Sequence, residues 1–214
     1  MITIKFFATV ALICITSIGM ANDRDTDNRD NLMFGFKAGL NYSNVYDSQT
    51  EDFNADPKVG LVGGAFLTIP ISTYLGLQPE ILLSQKGFKG NGVLLGDNYS
   101  FTRTTTYVDI PLLVAFKPSE FISLVAGPQY SYLLRQNDVF SSTNVSFSQE
   151  QEFNNENIRK NIFGFVAGMD INLKHIIIGT RLGWDIHNNT GDGTTKTPRY
   201  KNAWFQATVG YTFK

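Results

Sequence analysis

Apolar and polar residues alternate with a period of two along most of this chain. From Phe34 to Tyr42 the even positions are all apolar, whereas the odd positions are Gly, Lys or Asn. Such alternation places the two kinds of residue on opposite faces of a β-strand. The same pattern recurs seven more times, and the eight predicted strands are Phe34–Val45, Val59–Ile71, Leu75–Leu83, Val108–Phe116, Ile122–Leu134, Phe163–Leu173, Ile176–Ile186 and Ala203–Phe213.

The lengths of the strands and of their connections indicate a membrane barrel. The strands match the roughly 9 to 11 tilted residues that cross a bilayer. Short turns on one side and long loops on the other are typical of outer-membrane barrels. We therefore predict an all-β fold, an eight-stranded antiparallel up-and-down transmembrane β-barrel with both termini in the periplasm. The long polar connections are Tyr46–Lys58, Gly87–Thr106, Gln136–Asn161 and His187–Asn202.

A soluble β-sandwich or lipocalin-like barrel has the same period with its two faces reversed. The polar face here carries small residues and isolated, sign-balanced charges, unlike the Lys- and Glu-rich cover of a soluble surface. Aromatic residues of the apolar face gather near the strand ends at two levels, as girdles at the membrane interfaces do. They are Phe34, Phe36, Phe116, Tyr211 and Phe213 at one level and Tyr42, Tyr130, Tyr132, Phe163 and Trp184 at the other.

The N-terminus is typical of a secretory signal peptide. Lys5 precedes an apolar run from Phe6 to Ile18, and Gly19 and Ala21 are small residues at a cleavage site. The run is about 13 residues, shorter than the roughly 20 that a membrane anchor needs, so an anchor is the weaker alternative. We expect a signal peptide over residues 1–21 cleaved after Ala21, a flexible polar periplasmic lead-in over 22–33 and a barrel over 34–214.

Composition and charge exclude several classes of protein. Hydrophobic residues make up 43% and charged residues 17%, which excludes a disordered chain. The net charge is -1 and no basic run exists, which argues against nucleic acid as a partner. The only cysteine, Cys14, lies in the predicted signal peptide, so we expect neither a disulfide nor thiol chemistry in the exported chain.

Candidate chemistry is sparse. The two histidines, His175 and His187, are about a strand apart, so the spacing predicts no metal site. A rim enzyme would need His187 as base beside Asp185, with a loop serine as nucleophile, namely Ser141, Ser142 or Ser146. Acids in the first and third long loops indicate solvated charge, with a weak divalent-cation site as the alternative. We expect no catalytic, cofactor-binding or metal-ligating residue, and no enzyme.

Charged residues of the polar face are expected to line the barrel interior. Eight strands leave an interior that side chains can fill, so these charges must pair within it. Depths counted from the periplasmic turns predict a Glu80–Arg181 pair at mid-lumen, with Asp109 nearby and Lys37–Asp170 below. The alternative is that these charges do not pair but hydrate a column of water in the lumen. The predicted structural network consists of Lys37, Glu80, Lys86, Asp109, Arg135, Asp170, Arg181 and Asp185. Arg103 is also expected to face the lumen.

Four phrases in order carry a family resemblance. They read GFKAGLNYS over 35–43, LQPEILLSQKG over 77–87, YVDIPLLV over 107–114 and LVAGPQYSYLL over 124–134. Together they resemble the PorT-type outer-membrane β-barrel domain family over Phe34 to Lys214. The resemblance implies an eight-stranded barrel and a link to protein secretion, but no site residue, because the motif is structural. Lys214 after the final aromatic departs from the usual barrel-assembly ending.

These observations together predict the function. We expect a non-catalytic protein of the bacterial outer membrane with a structural or accessory role in the envelope. Its expected partners are outer-membrane lipids and, through the long extracellular loops, other envelope or secretion proteins. The alternatives are a small-solute porin and, less favoured, a lipid- or peptide-hydrolysing enzyme at the rim.

Overall fold

The computed structural model describes residues 27–49, 55–94, 97–142, 146–151, 159–189 and 199–213. The predicted signal peptide lies outside this part of the chain. Within the described ranges, no helix is long and apolar enough to span a membrane. The strands are β1 Met33–Gln49, β2 Ala55–Ser72, β3 Leu75–Leu94, β4 Asp97–Phe116, β5 Ile122–Ser142, β6 Ser146–Gln151, β7 Asn161–Leu173, β8 Ile176–Asp185 and β9 Arg199–Phe213.

Eight of these strands form a closed antiparallel ring. Within the ring, each strand pairs with the next along the chain, and the short β6 is skipped, so that β5 pairs with β7. The ring closes between β1 and β9, where Phe34 lies opposite Phe213. The short β6 pairs with the far end of β5, beyond the β5–β7 ladder, and so extends the sheet without entering the ring. The predicted eight-stranded barrel is confirmed.

The two faces of the strands point as the period predicts. Apolar residues face outward, and Leu112 and Leu182 are 51% and 59% exposed. Polar residues face inward, and Asp109 on the strand of Leu112 is 1% exposed. This is the reverse of a soluble barrel, whose core is apolar. The fold therefore presents its hydrocarbon-compatible surface to lipid and encloses its charges.

Aromatic side chains meet at both ends of the apolar band. Near the short turns, Phe34 stacks on Phe213 with ring centroids 4.9 Å apart. At the other end, the rings of Tyr130 and Phe163 lie 5.4 Å apart. Rings at these two levels fit the headgroup regions of a bilayer.

Several strands are longer than the sequence pattern predicts. Much of the expected loop Gly87–Thr106 forms a β3–β4 ladder that runs from Gly87 opposite Thr104 to Leu94 opposite Asp97. The prediction failed because it required one apolar face. Beyond the lipid the outward face no longer needs apolar residues, and Lys89 and Asn91 are exposed there, so the ladder persists without strict alternation. The Thr-rich stretch Thr102–Thr106 also favours a strand.

The described part of the lead-in lies against two turns of the barrel. The segment Asp27–Leu32 contacts the β2–β3 and β4–β5 turns, with Lys117 donating a hydrogen bond to the Arg29 carbonyl. The flexible lead-in stays a prediction. The buried side chain of Lys117 needs an acceptor at this end of the barrel and finds one in the Arg29 carbonyl.

The outward face predicts the response to charge in the lipid band. We expect Leu112→Arg or Leu182→Arg to cost about 2–4 kcal/mol of folding free energy, because a guanidinium would face hydrocarbon near mid-membrane. Equilibrium unfolding in liposomes measures this cost. The control is Arg at Ile186, which is exposed just beyond the end of β8. Full tolerance of Arg at both leucines would mean that the faces are reversed.

Candidate functional site

The candidate site is the barrel interior, where charged side chains from opposite walls meet. Seven of the eight predicted residues are buried there: Lys37, Glu80, Lys86, Asp109, Asp170, Arg181 and Asp185. The strand alternation turns every one of them inward. Their contacts divide them between a lower and a middle layer, counted from the short turns.

The lower layer consists of Lys37, Gln78, Glu80, Asp170 and Arg181. The Arg181 guanidinium binds Asp170 through two parallel hydrogen bonds of 2.7 and 2.8 Å. Its Nη2 also lies 3.7 Å from Glu80 Oε1. Lys37 Nζ donates to Glu80 Oε2, and Gln78 donates to Glu80 and Asp170 at 2.9 and 3.3 Å. Two cations therefore balance two carboxylates in one connected network.

The pairing differs from the prediction in its partners. Glu80 and Arg181 are within reach of each other, but the shorter contacts join Arg181 to Asp170 and Lys37 to Glu80. The register explains this result. Arg181 lies opposite Gly168 on β7, which places Asp170 two residues away on the same face. Counting depth from the turns ignores this diagonal geometry and the shear of the barrel.

The middle layer consists of Lys86, Asp109, Asp185, Asn202 and Trp204. Lys86 Nζ lies 3.0 Å from Asp109 Oδ2 and 3.6 Å from the centroid of the Trp204 ring. Asp185 accepts hydrogen bonds of 3.1 and 2.6 Å from the backbone and side-chain amides of Asn202. Asp109 therefore pairs with Lys86 instead of joining Glu80 and Arg181. The ammonium is held by a carboxylate and an aromatic face.

The upper layer consists of Phe88, Phe101, Arg103, Asp138 and Tyr200. The Arg103 guanidinium binds Asp138 through hydrogen bonds of 2.8 and 2.7 Å. It also donates to the Tyr200 hydroxyl at 3.3 Å. The rings of Phe88, Phe101 and Tyr200 lie 5.3 to 5.9 Å from the guanidinium carbon. Sequence reasoning missed Asp138 because it placed that residue in a loop.

Two aromatic rings fill the interior by lying over glycines of neighbouring strands. Phe66 is directly opposite Gly35, and Trp204 is directly opposite Gly183. A Cβ added at Gly35 would stand 2.6 Å from Phe66 Cζ, and one at Gly183 would stand 2.3 Å from Trp204 Cζ2. Both distances are too short for a real contact, so only glycine admits the rings. Trp204 alternates in step with the polar residues Gln206 and Thr208 of the same strand. This shared parity is the sequence signal that the Trp204 side chain points inward.

An apolar cluster lies beside the middle layer. Trp204 packs there with four other buried residues, none more than 4% exposed: Leu113, Ala115, Val125 and Val166. These side chains come from β4, β5, β7 and β9, so the cluster spans the interior from wall to wall. Ions and apolar groups together occupy the described lumen.

Arg135 is a correction to the predicted network. It is exposed on the outer face, whereas its neighbour Leu133 is 4% exposed and faces inward. The β4–β5 ladder shifts here, since Thr106 pairs with Arg135 but Tyr107 pairs with Leu133. The extra residue at Leu134 is a β-bulge, which inverts the alternation beyond it.

Of the predicted rim constellation, the Asp185–His187 pair is not formed, and the side chains of Ser142 and Ser146 lie outside the described part of the chain. Asp185 points into the lumen toward Asn202, whereas the exposed His187 packs edge-on against Phe163 at 5.7 Å. His175 stacks on Tyr211 at the opposite end. Among the described residues, no group of three or more His, Cys, Asp and Glu could hold a metal ion. The acidic loop residues Glu51, Asp52, Glu152 and Glu156 lie outside the described residues.

Several solved structures are similar to this chain. Ail, the attachment invasion locus protein of Yersinia pestis, is 15% identical, and the match covers 85% of this chain and 98% of Ail with a TM-score of 0.45. Neisserial surface protein A is 9% identical over 84% of this chain and 97% of its own, with a TM-score of 0.48. OprG from Pseudomonas aeruginosa is 12% identical over 85% and 95%, with a TM-score of 0.41.

No curated protein matches the sequence. Residues 20–191 match the model of the outer membrane protein beta-barrel domain family. That stretch includes most of the ring and all the charged residues of the lower and middle layers. The chain therefore belongs to the outer membrane protein beta-barrel domain family and is a protein of the bacterial outer membrane.

Proposed function

We propose that this protein is a non-catalytic, sealed barrel with a structural or accessory role in the envelope. The observation that carries this proposal is the filled lumen. Ion pairs, aromatic rings and the apolar cluster occupy successive layers between the short turns and the upper layer. The function then resides in the surfaces outside the lumen, above all in the strands and loops beyond the outer aromatic level.

The lumen argues against the porin alternative. A permeating solute would have to pass Trp204, which spans from Lys86 on β3 to Gly183 on β8. Moving Lys86 aside would separate it from Asp109 in a site of low dielectric, which is costly for both charges. The packing favours a closed state over a conducting one.

The extracellular side supports a role in interaction. The β3–β4 ladder continues past the lipid, and β6 widens the same sheet. Its outward face carries Lys89 and Asn91, with Val139 at 37% exposure. A stiff polar surface of this kind suits a partner protein of the envelope. On the four phrases of the sequence, we further propose a PorT-type barrel linked to protein secretion.

The geometry of the rim supports a non-catalytic role. A general base needs an orienting partner within hydrogen-bond reach. Asp185 is engaged by Asn202 inside the barrel and points away from His187. The hypothesis of a hydrolytic rim enzyme thereby loses its acid–base pair.

The sealed lumen predicts electrical behaviour. In planar bilayers, we expect the wild-type protein to show little steady conductance and Trp204→Ala to show frequent openings, because the substitution removes the ring that crosses the lumen. The matched control is Trp184→Ala, which removes a tryptophan from the outer face of β8 and should stay closed. Large stable channels in the wild type would refute the proposal and favour the porin.

The lower layer predicts a loss of stability. We expect Glu80→Ala to cost about 3–5 kcal/mol, because Lys37 loses its buried carboxylate. Urea unfolding in liposomes measures the change, and Glu120→Ala at the exposed β4–β5 turn is the control. A cost below about 1 kcal/mol, typical of an exposed pair, would show that water already solvates this layer.

A shortened hairpin tests the proposed interaction surface. Because β6 lies outside the ring, replacing residues 142–151 by a flexible Gly-Ser linker removes β6 but keeps Asp138 on β5, and should leave the barrel intact. In cells whose gene is disrupted, we expect this variant to reach the outer membrane but not to restore envelope integrity or secretion. The control shortens only residues 94–97 at the tip of the β3–β4 hairpin. Full rescue by the 142–151 variant would show that this surface is dispensable.

A further inference from the structure

A short segment before β1 covers part of the periplasmic end of the barrel. This segment, here called the strap, comprises Asp27–Leu32. It contacts Thr73 and Tyr74 in the β2–β3 turn and Lys117 at the start of the β4–β5 turn. The two turns are themselves joined, since the Lys117 amide donates to the Tyr74 carbonyl at 2.8 Å. The strap therefore lies on a preformed platform.

The central contact is a buried ammonium. Lys117 is 4% exposed, and its Nζ donates a hydrogen bond of 2.9 Å to the Arg29 carbonyl. Within the described residues this carbonyl is the acceptor that the structure gives to that ammonium. A buried ammonium without an acceptor is costly, and burial lowers the pKa of Lys117. The strap and Lys117 consequently stabilise each other.

The other contacts of the strap face water. The Arg29 guanidinium lies 5.2 Å from the centroid of the Tyr74 ring. Thr73 Oγ1 donates to Asp30 Oδ2 at 3.3 Å. Hydrogen bonds from Arg29 hold the pKa of the exposed Asp27 below its usual value. Exposed pairs such as these are weak and are screened by salt, so the bond from Lys117 is the one shielded from solvent.

We propose that the strap is a releasable closure of the periplasmic mouth, latched by Lys117. Release breaks one shielded hydrogen bond and a few exposed contacts, and no strand of the ring has to move. It frees the strap and uncovers the Lys117 ammonium beside Gly76, toward the periplasm. Because the strap lies below the lower layer, its release opens no channel through the lumen.

Limited trypsin digestion in proteoliposomes tests the latch. Cleavage after Arg29 requires the strap to leave its platform, and such cleavage follows the population of the open form. We expect Lys117→Met to raise the rate of cleavage after Arg29 by on the order of tenfold over the wild type. Lys117→Gln keeps a donor and should give an intermediate rate. Lys174→Met is the control, since Lys174 is exposed on the β7–β8 turn.

A rescue variant separates latching from general damage. Adding Asp30→Cys and Thr73→Cys to Lys117→Met should restore resistance to trypsin when the pair is oxidised and lose it on reduction. All variants should keep the heat-modifiable gel mobility of a folded barrel. If Lys117→Met does not fold, Lys117→Gln and the cysteine pair in the wild-type background provide the same comparison.

Two outcomes would overturn the proposal. One is equal cleavage after Arg29 in the wild type and in Lys117→Met or Lys117→Gln. The other is an equal rise in the Lys174→Met control. Conductance distinguishes this proposal from the sealed lumen, because Lys117→Met should remain closed in planar bilayers. A conducting wild-type protein would refute the proposal of a sealed lumen. The proposal of the latch would then be decided by the trypsin digestion alone.

Discussion

The structure depends on closing the β-ladder. In hydrocarbon no water is available to backbone amides and carbonyls, so every one must find a partner within the protein. The last ladder, between β1 and β9, removes the two free edges that the other pairings leave. Once the ring is closed, one face of every strand meets lipid. Within the lipid band, the apolar side chains must then lie outside and the charges must lie inside.

Enclosed charges impose the second constraint, because an interior of this size must neutralise them locally. The lower layer does so with two cations and two carboxylates. Lys86 in the middle layer uses both a carboxylate and the Trp204 ring. Removing one member leaves its partner buried without a counter-charge. A substitution of a single member of a layer therefore lowers the stability of the barrel. The glycines opposite the two large rings are constrained for steric reasons in the same way.

The alternation of apolar and polar residues was sufficient to predict the eight strands of the ring. It also predicted which face of the sheet nearly every charged residue lies on, because lipid and lumen select opposite residue types. Arg135 failed because one extra residue at Leu134 inverts the parity, and nothing in the alternation marks that bulge. The predicted Lys37–Asp170 pair failed for another reason, whereas Glu80 and Arg181 are within reach of each other as predicted. Lys37 and Glu80 are two strands apart, and which side chains meet depends on the register of each ladder. Composition and spacing do not encode that register.

The ends of the barrel are free of the rule that governs its middle. In the β3–β4 hairpin the ladder satisfies the backbone, and its outward face beyond Gly87 meets water or a partner, as the exposed Lys89 and Asn91 show. Substitutions there need not preserve an apolar face or a charge balance. The same holds at the short turns, where the strap is held by one buried ammonium and otherwise by exposed contacts. Specific recognition can therefore change at either end while the lumen and the lipid face stay fixed.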